Sequence, residues 1–265
     1  HVDGIVTAGT DVAVITIGKV CDELGLKGLS FAAAEIASNK LGMKEKYEEY
    51  GVRTARFRLV KLDGSDLKEK AAELTFPLIF KAVDSSGSRG IRRVDSEEEF
   101  ERTRQYVAES THKDYFLVEE FIEGEEFGAQ AFVQDGKVEF ILPHGDFVFH
   151  GDTGVPVGHF APYDLPEEVI ADCKEQLVKA VEAMGLDNCA INADFILKDG
   201  KTYVLELGGR SGATCLAELV SIYYGFDYYE KLIRVALGEK VSFASDQAMP
   251  NASKLLMSDR DGVIV

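Results

Sequence analysis

Residues 190–207, AINADFILKDGKTYVLEL, read as two apolar strands joined by the turn sequence Lys-Asp-Gly-Lys, and each arm carries one acid, Asp194 and Glu206. Strands joined by so short a turn must run antiparallel, which commits at least part of the chain to a hairpin sheet. Loop length then decides the chemistry. With a three-residue loop, 199–201, Asp194 sits directly opposite Glu206 on one face; a strict two-residue loop puts them on opposite faces, because one residue of slip inverts every side chain. Two carboxylates side by side repel, a divalent cation relieves the repulsion, and Mg²⁺ prefers one or two carboxylates together with phosphate oxygens. The alternative is a pair of unrelated exposed strand acids, and spacing alone leaves both readings open.

Similar patterns recur along the chain. AQAFVQDGKVEFIL (129–142) is a second hairpin, turning at Asp135-Gly136. Ser38 or Asn39 caps a helix from Lys40 to Tyr50 that Gly51 ends, and an amphipathic helix runs from about Glu167 to Met184. SEEEFERTRQYVAES reads as a helix over a small sheet. Hairpins interleaved with helices indicate a mixed α+β fold rather than a purely parallel sheet. Residues 3–34 read as strand (Ile5 to Ala8), helix and short strand (LKGLSF), the expected tail of an α/β layer whose beginning is absent; SKLLMSDRDGVIV reads as a hairpin cut short.

The 265 residues are 46% hydrophobic, enough to bury a sizeable core in one large domain or two to three subdomains. A formal charge of −17 argues against nucleic acid or anionic lipid as a partner but leaves small anions open to a local basic pocket. Cys21, Cys173, Cys189 and Cys215 form no CxxC pair, so neither a zinc site nor a disulfide framework is expected, and reduced thiols suit a cytoplasmic location. No apolar run approaches the roughly 20 residues that span a bilayer, so no membrane association is expected.

Three further stretches carry chemistry. In FKAVDSSGSRGI, Lys81 ends an apolar strand, and Ser85, Ser86, Gly87, Ser88, Arg89 and Gly90 follow as a donor-rich loop suited to a polyphosphate; the GK[ST] ending of a P-loop is missing, so a hairpin lid over phosphates fits better. In FLVEEFIEGEEF, Glu119 and Glu120 precede Phe121 and Ile122, then Glu125 and Glu126; a carboxylate and main-chain groups between apolar walls suit adenine, and a further acid suits ribose hydroxyls. In LELGGRSG, Gly208 and Gly209 permit close backbone approach and Arg210 offers a fixed fork of donors to a carboxylate or phosphate. A solvated turn and a charged edge strand are the simpler readings of the first two, taken singly. His144, His150 and His159 fall in the segment before the amphipathic helix, and a surface-loop position is expected for His159.

Taken in order with Lys40 upstream, these stretches resemble the ATP-grasp carboxylate-amine ligases, over about residues 2–241. The resemblance implies an α+β ATP-grasp fold, two α+β subdomains sandwiching ATP behind the tail of an N-terminal α/β domain. Its boundaries would be 1–36 for that remnant, 37–122 for the subdomain with the phosphate lid, 123–245 for the subdomain with the metal hairpin and 246–265 for the start of a C-terminal segment. SNKLGMKEKYEEYGV is similar to the family's lysine-bearing helix, implying Lys40 as a phosphate lysine. FPLIFKAVDSSGSRGI implies Lys81 at the α and β phosphates, with Ser86, Gly87, Ser88, Arg89 and Gly90 over the γ end. VEEFIEGEEF implies Glu119 and the Phe121 and Ile122 backbone at adenine, with Glu126 at ribose. NADFILKDGKTYVLELGGR implies Asp194 and Glu206 as ligands of Mg²⁺, for which Mn²⁺ can substitute, and Arg210 as the group that holds an acyl phosphate. Gly208 departs from the family's usual Asn, removing a third metal ligand.

The implied reaction is ATP-dependent activation of a small carboxylate substrate, an amino acid among the candidates, followed by attack of an amine or similar nucleophile in a homodimeric enzyme. A phosphotransferase of the same fold and a catalytically impaired nucleotide-binding module are the alternatives.

Overall fold

The computed structural model describes residues 1–85, 87, 89–148, 156–256 and 262–263. Two antiparallel sheets organise it. The smaller has the order β1-β4-β2-β3, from β1 (Phe57–Lys61), β2 (Leu78–Lys81), β3 (Ile91–Val94) and β4 (Tyr115–Glu120). The larger has the order β10-β7-β6-β5-β8-β9, from β5 (Glu125–Gln134), β6 (Lys137–Val148), β7 (Pro156–Ala161), β8 (Cys189–Lys198), β9 (Lys201–Gly208) and β10 (Asn251–Lys254).

Strand alternation gives the small sheet two different faces. Val60, Leu78, Phe80, Val94, Phe116 and Val118 pack beneath Leu67 and Ala71 of α4 (Leu67–Ala71) and Phe100 and Val107 of α5 (Phe100–Ala108). Phe80 is fully buried between Phe100 and Phe116, so truncating it to Ala costs about 3–5 kcal/mol. The opposite face carries Phe57, Ile79, Lys81, Leu117 and Glu119, held together by the pairings Phe57↔Glu119, Ile79↔Glu119 and Lys81↔Leu117. Lys81 and Glu119, with Arg93 opposite Ile79, therefore occupy the face turned away from the sheet's own helices.

The large sheet follows the same rule. Phe127, Ala129, Ala131, Ile191, Ala193 and Phe195 join a core with Cys173, Leu177 and Ala180 of α6 (Glu167–Met184) and Met43 and Tyr47 of α3 (Lys40–Tyr50). On the other face, Phe132, Leu142 and Ala190 are roofed by Ala217, Leu219 and Val220 of α7 (Leu216–Tyr224) and Tyr228 and Leu232 of α8 (Tyr228–Ala236). That roof covers one end of the strands; the neighbouring positions Gly128, Asp194 and Glu206 lie beyond it on the same face.

Helix α3 has the expected bounds: the Asn39 side chain accepts hydrogen bonds from the Leu41 and Gly42 amides, and Gly51 closes it at φ 66°. The β8–β9 hairpin takes the shorter of the two loops the sequence leaves open. Its turn holds two residues, Asp199 and Gly200, at φ 51° and 72°, and pairs Lys198 with Lys201. That turn alone would set Asp194 and Glu206 on opposite faces, but the register shifts between Asp194 and Phe195, and the bulge returns Asp194 to a position facing Glu206.

The N-terminal expectation of two strands also changes. Residues 5–8 make a parallel bridge, Ala8 to Ser211, and among the described residues no strand lies alongside to extend a ladder; LKGLSF runs without strand structure into α2 (Phe31–Ala37), behind α1 (Val14–Leu24). The C-terminal strand β10 pairs with β7; the residues that would form the other arm of the expected hairpin lie largely outside the described residues.

Candidate functional site

The charged face of the small sheet and the open face of the large one are bridged by α3. Asn39 fixes the first turn of that helix, which carries Lys40 at its start. The Lys40 ammonium donates to the Ser85 carbonyl at 2.8 Å, on the loop after β2, and to Glu206 at 3.2 Å, on β9. One lysine thus joins the proposed phosphate loop to the proposed metal hairpin.

Asp194 and Glu206 are cross-strand partners. Asp194 is open to the cleft yet ringed by protein, and its carboxyl is pushed up to about 7 by desolvation, then by Glu206, Asp146 and Glu126, with Arg210 opposing the shift. Two hard carboxylates facing one another could hold a divalent cation, whose charge would relieve their repulsion. Gly208 follows on the same strand, paired with Asn192, and a Cβ built on it would meet nothing nearer than Asp11 at 3.6 Å and Arg210 at 3.7 Å.

Lys81 and Glu119 meet on the small sheet, Lys81 Nζ to Glu119 Oε2 at 2.9 Å. The same oxygen lies 3.2 Å from the ammonium of Lys44, a residue the sequence reading passed over. Lys44 and Glu119 each keep 2% of their exposure. Burial lowers Lys44 to about 8, against the pull of Glu119; burial raises Glu119, but Lys44 and Lys81 outweigh it and hold the carboxyl below its ordinary range. Glu119 Oε1 is buried without a hydrogen-bond partner. Of the hinge backbone, the Phe121 amide donates to the Pro77 carbonyl at 2.8 Å, and the Phe121 ring lies under the Arg93 guanidinium at 4.5 Å. Phe121 and Ile122 are half-buried, and Glu126 is exposed, close enough in space to act on Asp194.

The loop after β2 is tied down at its base. The Ala82 amide donates to the Gly90 carbonyl at 2.8 Å, the Ser85 hydroxyl donates to the Ser110 carbonyl, and Asp84 accepts from Thr111 and from the His112 amide. Gly87 and Gly90 take φ 65° and 66°, and at Gly90 a Cβ would also strike Ser110 and Ala82 at 2.6 and 2.7 Å. Arg89 is exposed near the loop's tip. Ser86 and Ser88 lie outside the described residues.

Arg210 grips a carboxylate, but one of the chain's own: Nε and Nη2 donate to Asp11 Oδ1 and Oδ2 at 2.7 and 2.9 Å. The bridge between Ala8 and Ser211 brings Asp11 there. Nothing local in the sequence marks this pairing, which spans 199 positions.

His159 differs from the expected surface-loop position. His159 lies buried on β7 and His144 on β6, and the Nδ1 atoms of both contact Asp146 Oδ1, at 2.6 and 3.1 Å. Burial pulls the His144 imidazole down; the Asp146 carboxyl, although half desolvated, is held far below the usual carboxylate range by hydrogen bonds from both rings. Gly128 permits this packing, since a Cβ there would fall 2.3 Å from the His144 ring. His150 lies outside the described residues.

Against known proteins, the family model for the ATP-grasp domain matches residues 74–218. The chain is 25% identical over 267 residues to the alanine-anticapsin ligase of Bacillus subtilis (strain 168), covering 93% of this chain and 55% of that protein. The crystal structure of phosphoribosylglycinamide synthetase from Anaerococcus prevotii superposes with a TM-score of 0.81 at 38% identity, covering 98% of this chain and 66% of that one. The L-amino acid ligase from Bacillus licheniformis superposes with a TM-score of 0.74 at 25% identity, covering 89% of this chain and 56% of that one. The chain spans about half the length of the curated relatives it matches. With the family model covering more than half of its residues, the chain belongs to the ATP-grasp family.

Proposed function

We propose that this chain carries the nucleotide and metal site of an ATP-dependent ligase that joins a carboxylate to an amine. The observation that carries the reading is the facing pair Asp194 and Glu206 with Lys40 against Glu206 and the Lys81–Glu119 pair on the neighbouring sheet. In this reading Lys40, Lys81 and Arg89 offset the charge of a polyphosphate, the loop 85–90 covers it, and Glu119, the Phe121 and Ile122 backbone and Glu126 receive the nucleoside. Asp194 and Glu206 would hold Mg²⁺, which neutralises phosphate oxygens when bound.

A substrate carboxylate oxygen then attacks the terminal phosphorus, ADP leaves, and the product is an acyl phosphate. An amine nitrogen attacks the acyl carbon, the C–N bond forms as the C–O bond to phosphate breaks, and the amine's proton is lost. Both reactants are anionic in the first step, so the work of the protein is charge compensation and exclusion of water. Arg210 would exchange Asp11 for the activated carboxylate, a substitution of one oxygen pair for another on the same fork.

The alanine-anticapsin and L-amino acid ligases among the relatives support an amino acid as one substrate. Among the described residues no helix is long and apolar enough to cross a membrane. A cytoplasmic homodimer, and subdomains divided at 37–122 and 123–245, complete the proposal. The test is ADP release from MgATP across a panel of amino acids, offered singly and in pairs. Release that requires two partners is expected; release with a single partner and a stable phosphorylated product would favour a phosphotransferase.

A further inference from the structure

Lys44 has no part in the reading above, yet it is the most deeply placed cation of the cleft. Helix α3 sets it one turn beyond Lys40 on the same face. Its ammonium donates to the Thr54 hydroxyl at 2.6 Å, and that hydroxyl donates to the Val204 carbonyl of β9 at 2.7 Å. The chain of contacts continues from Lys44 to Glu119 Oε2 at 3.2 Å and from that oxygen to Lys81 at 2.9 Å. One carboxylate oxygen therefore lies between two ammonium groups, and the three side chains together carry a single positive charge.

The alternative arrangement is simple to state. Lys81 and Glu119 alone would form a neutral pair, and an incoming polyphosphate would have to compete with Glu119 for the lysine. Burying a lysine is costly, and a close-packed apolar side chain in its place is commonly neutral or stabilising, so stability gives no reason for a charge at position 44. Electrostatics gives one: Lys44 offsets Glu119.

We propose that Lys44 is a positioning residue for the phosphate site, the counter-ion that neutralises Glu119 and leaves the charge of Lys81 available to a polyphosphate. The inference rests on the assignment of Lys81 to phosphate. It makes the anion-binding strength of the small sheet depend on a side chain that has no contact with the cleft solvent.

The test is calorimetric titration with magnesium tripolyphosphate, which presents the phosphates of ATP without a base, so that changes at Glu119 do not act through adenine. Lys44→Met and Lys44→Gln are each expected to weaken binding roughly tenfold or more relative to the parent chain. Lys44→Met combined with Glu119→Gln is expected to return to within about threefold of the parent, although Lys44 is still missing, because Lys81 is again unopposed. A purely structural lysine would lower the melting temperature without this rescue. Should Lys44→Met fail to fold, Lys44→Gln and the double variant carry the same comparison. Unchanged affinity in the folded single variants, or a double variant as weak as the single, overturns the inference. A parent chain that binds neither tripolyphosphate nor MgATP overturns instead the phosphate assignment beneath it.

Discussion

Asp194 and Glu206 face each other across a strand pair, and desolvation, then Glu206, raise the Asp194 carboxyl. With the Asp194 carboxyl pushed up to about 7, a divalent cation binding there near neutral pH is expected to displace part of a proton. Titration with Mg²⁺ in buffers of different ionisation heat is therefore expected to show proton release that is large at about pH 6.5 and fades above about pH 8.5. The sign for stability is the reverse. A carboxyl whose folded pKa lies above its unfolded value destabilises the ionised fold, so this contribution worsens as pH rises from about 4 through 7. Asp194→Asn is expected to raise the melting temperature of the ligand-free chain at pH 8 while abolishing Mg²⁺ binding. Gly208→Asn tests the missing ligand: its Cβ meets only ordinary contacts, so the fold should tolerate it and Mg²⁺ affinity should rise, which calorimetry would read directly. Of these residues, Asp194, Glu206 and Arg210 were legible as acids and a guanidinium on one hairpin. Lys44 and Asp11 were not: a lysine on a mostly polar helix gives no sign of burial, and an aspartate 199 positions from its arginine leaves no local mark.

Among the elements, the β8–β9 hairpin carries the largest consequence for the site. A two-residue turn and a bulge each move register by one, and only together do they put both acids on one face. The sequence marks the turn through Asp199-Gly200 but gives the bulge no signature, which is why spacing alone leaves the facing of the two acids open. Gly200 takes φ 72°, so Gly200→Ala should lower stability by about 1 kcal/mol in urea unfolding. Helix α3 was legible at both ends because its signals are local: Asn39 caps two amides and Gly51 supplies the left-handed stop. Asn39→Ala is expected to cost about 1 kcal/mol and to loosen Lys40, which begins the same turn. The N-terminal strands were not legible for the opposite reason, since a strand is defined by its partner and among the described residues 5–8 bridge to Ser211 alone.

At the scale of the whole molecule, polar contacts join residues 40–54, which lead into the small sheet, to β9 and α6: Lys40 to Glu206, Lys44 through Thr54 to Val204, and Arg53 to Asp172 and the Thr202 carbonyl. A ligand that binds only the folded chain stabilises the fold by about 2.7 kcal/mol at a hundred times its dissociation constant. The central claim is that this cleft binds a metal nucleotide through Lys81, Asp194 and Glu206, and calorimetric titration of the chain with MgATP tests it most directly. The account predicts saturable binding to the parent chain that depends on Mg²⁺ and is lost in Glu206→Ala and in Lys81→Ala; heat of binding in both variants indistinguishable from the parent would contradict it.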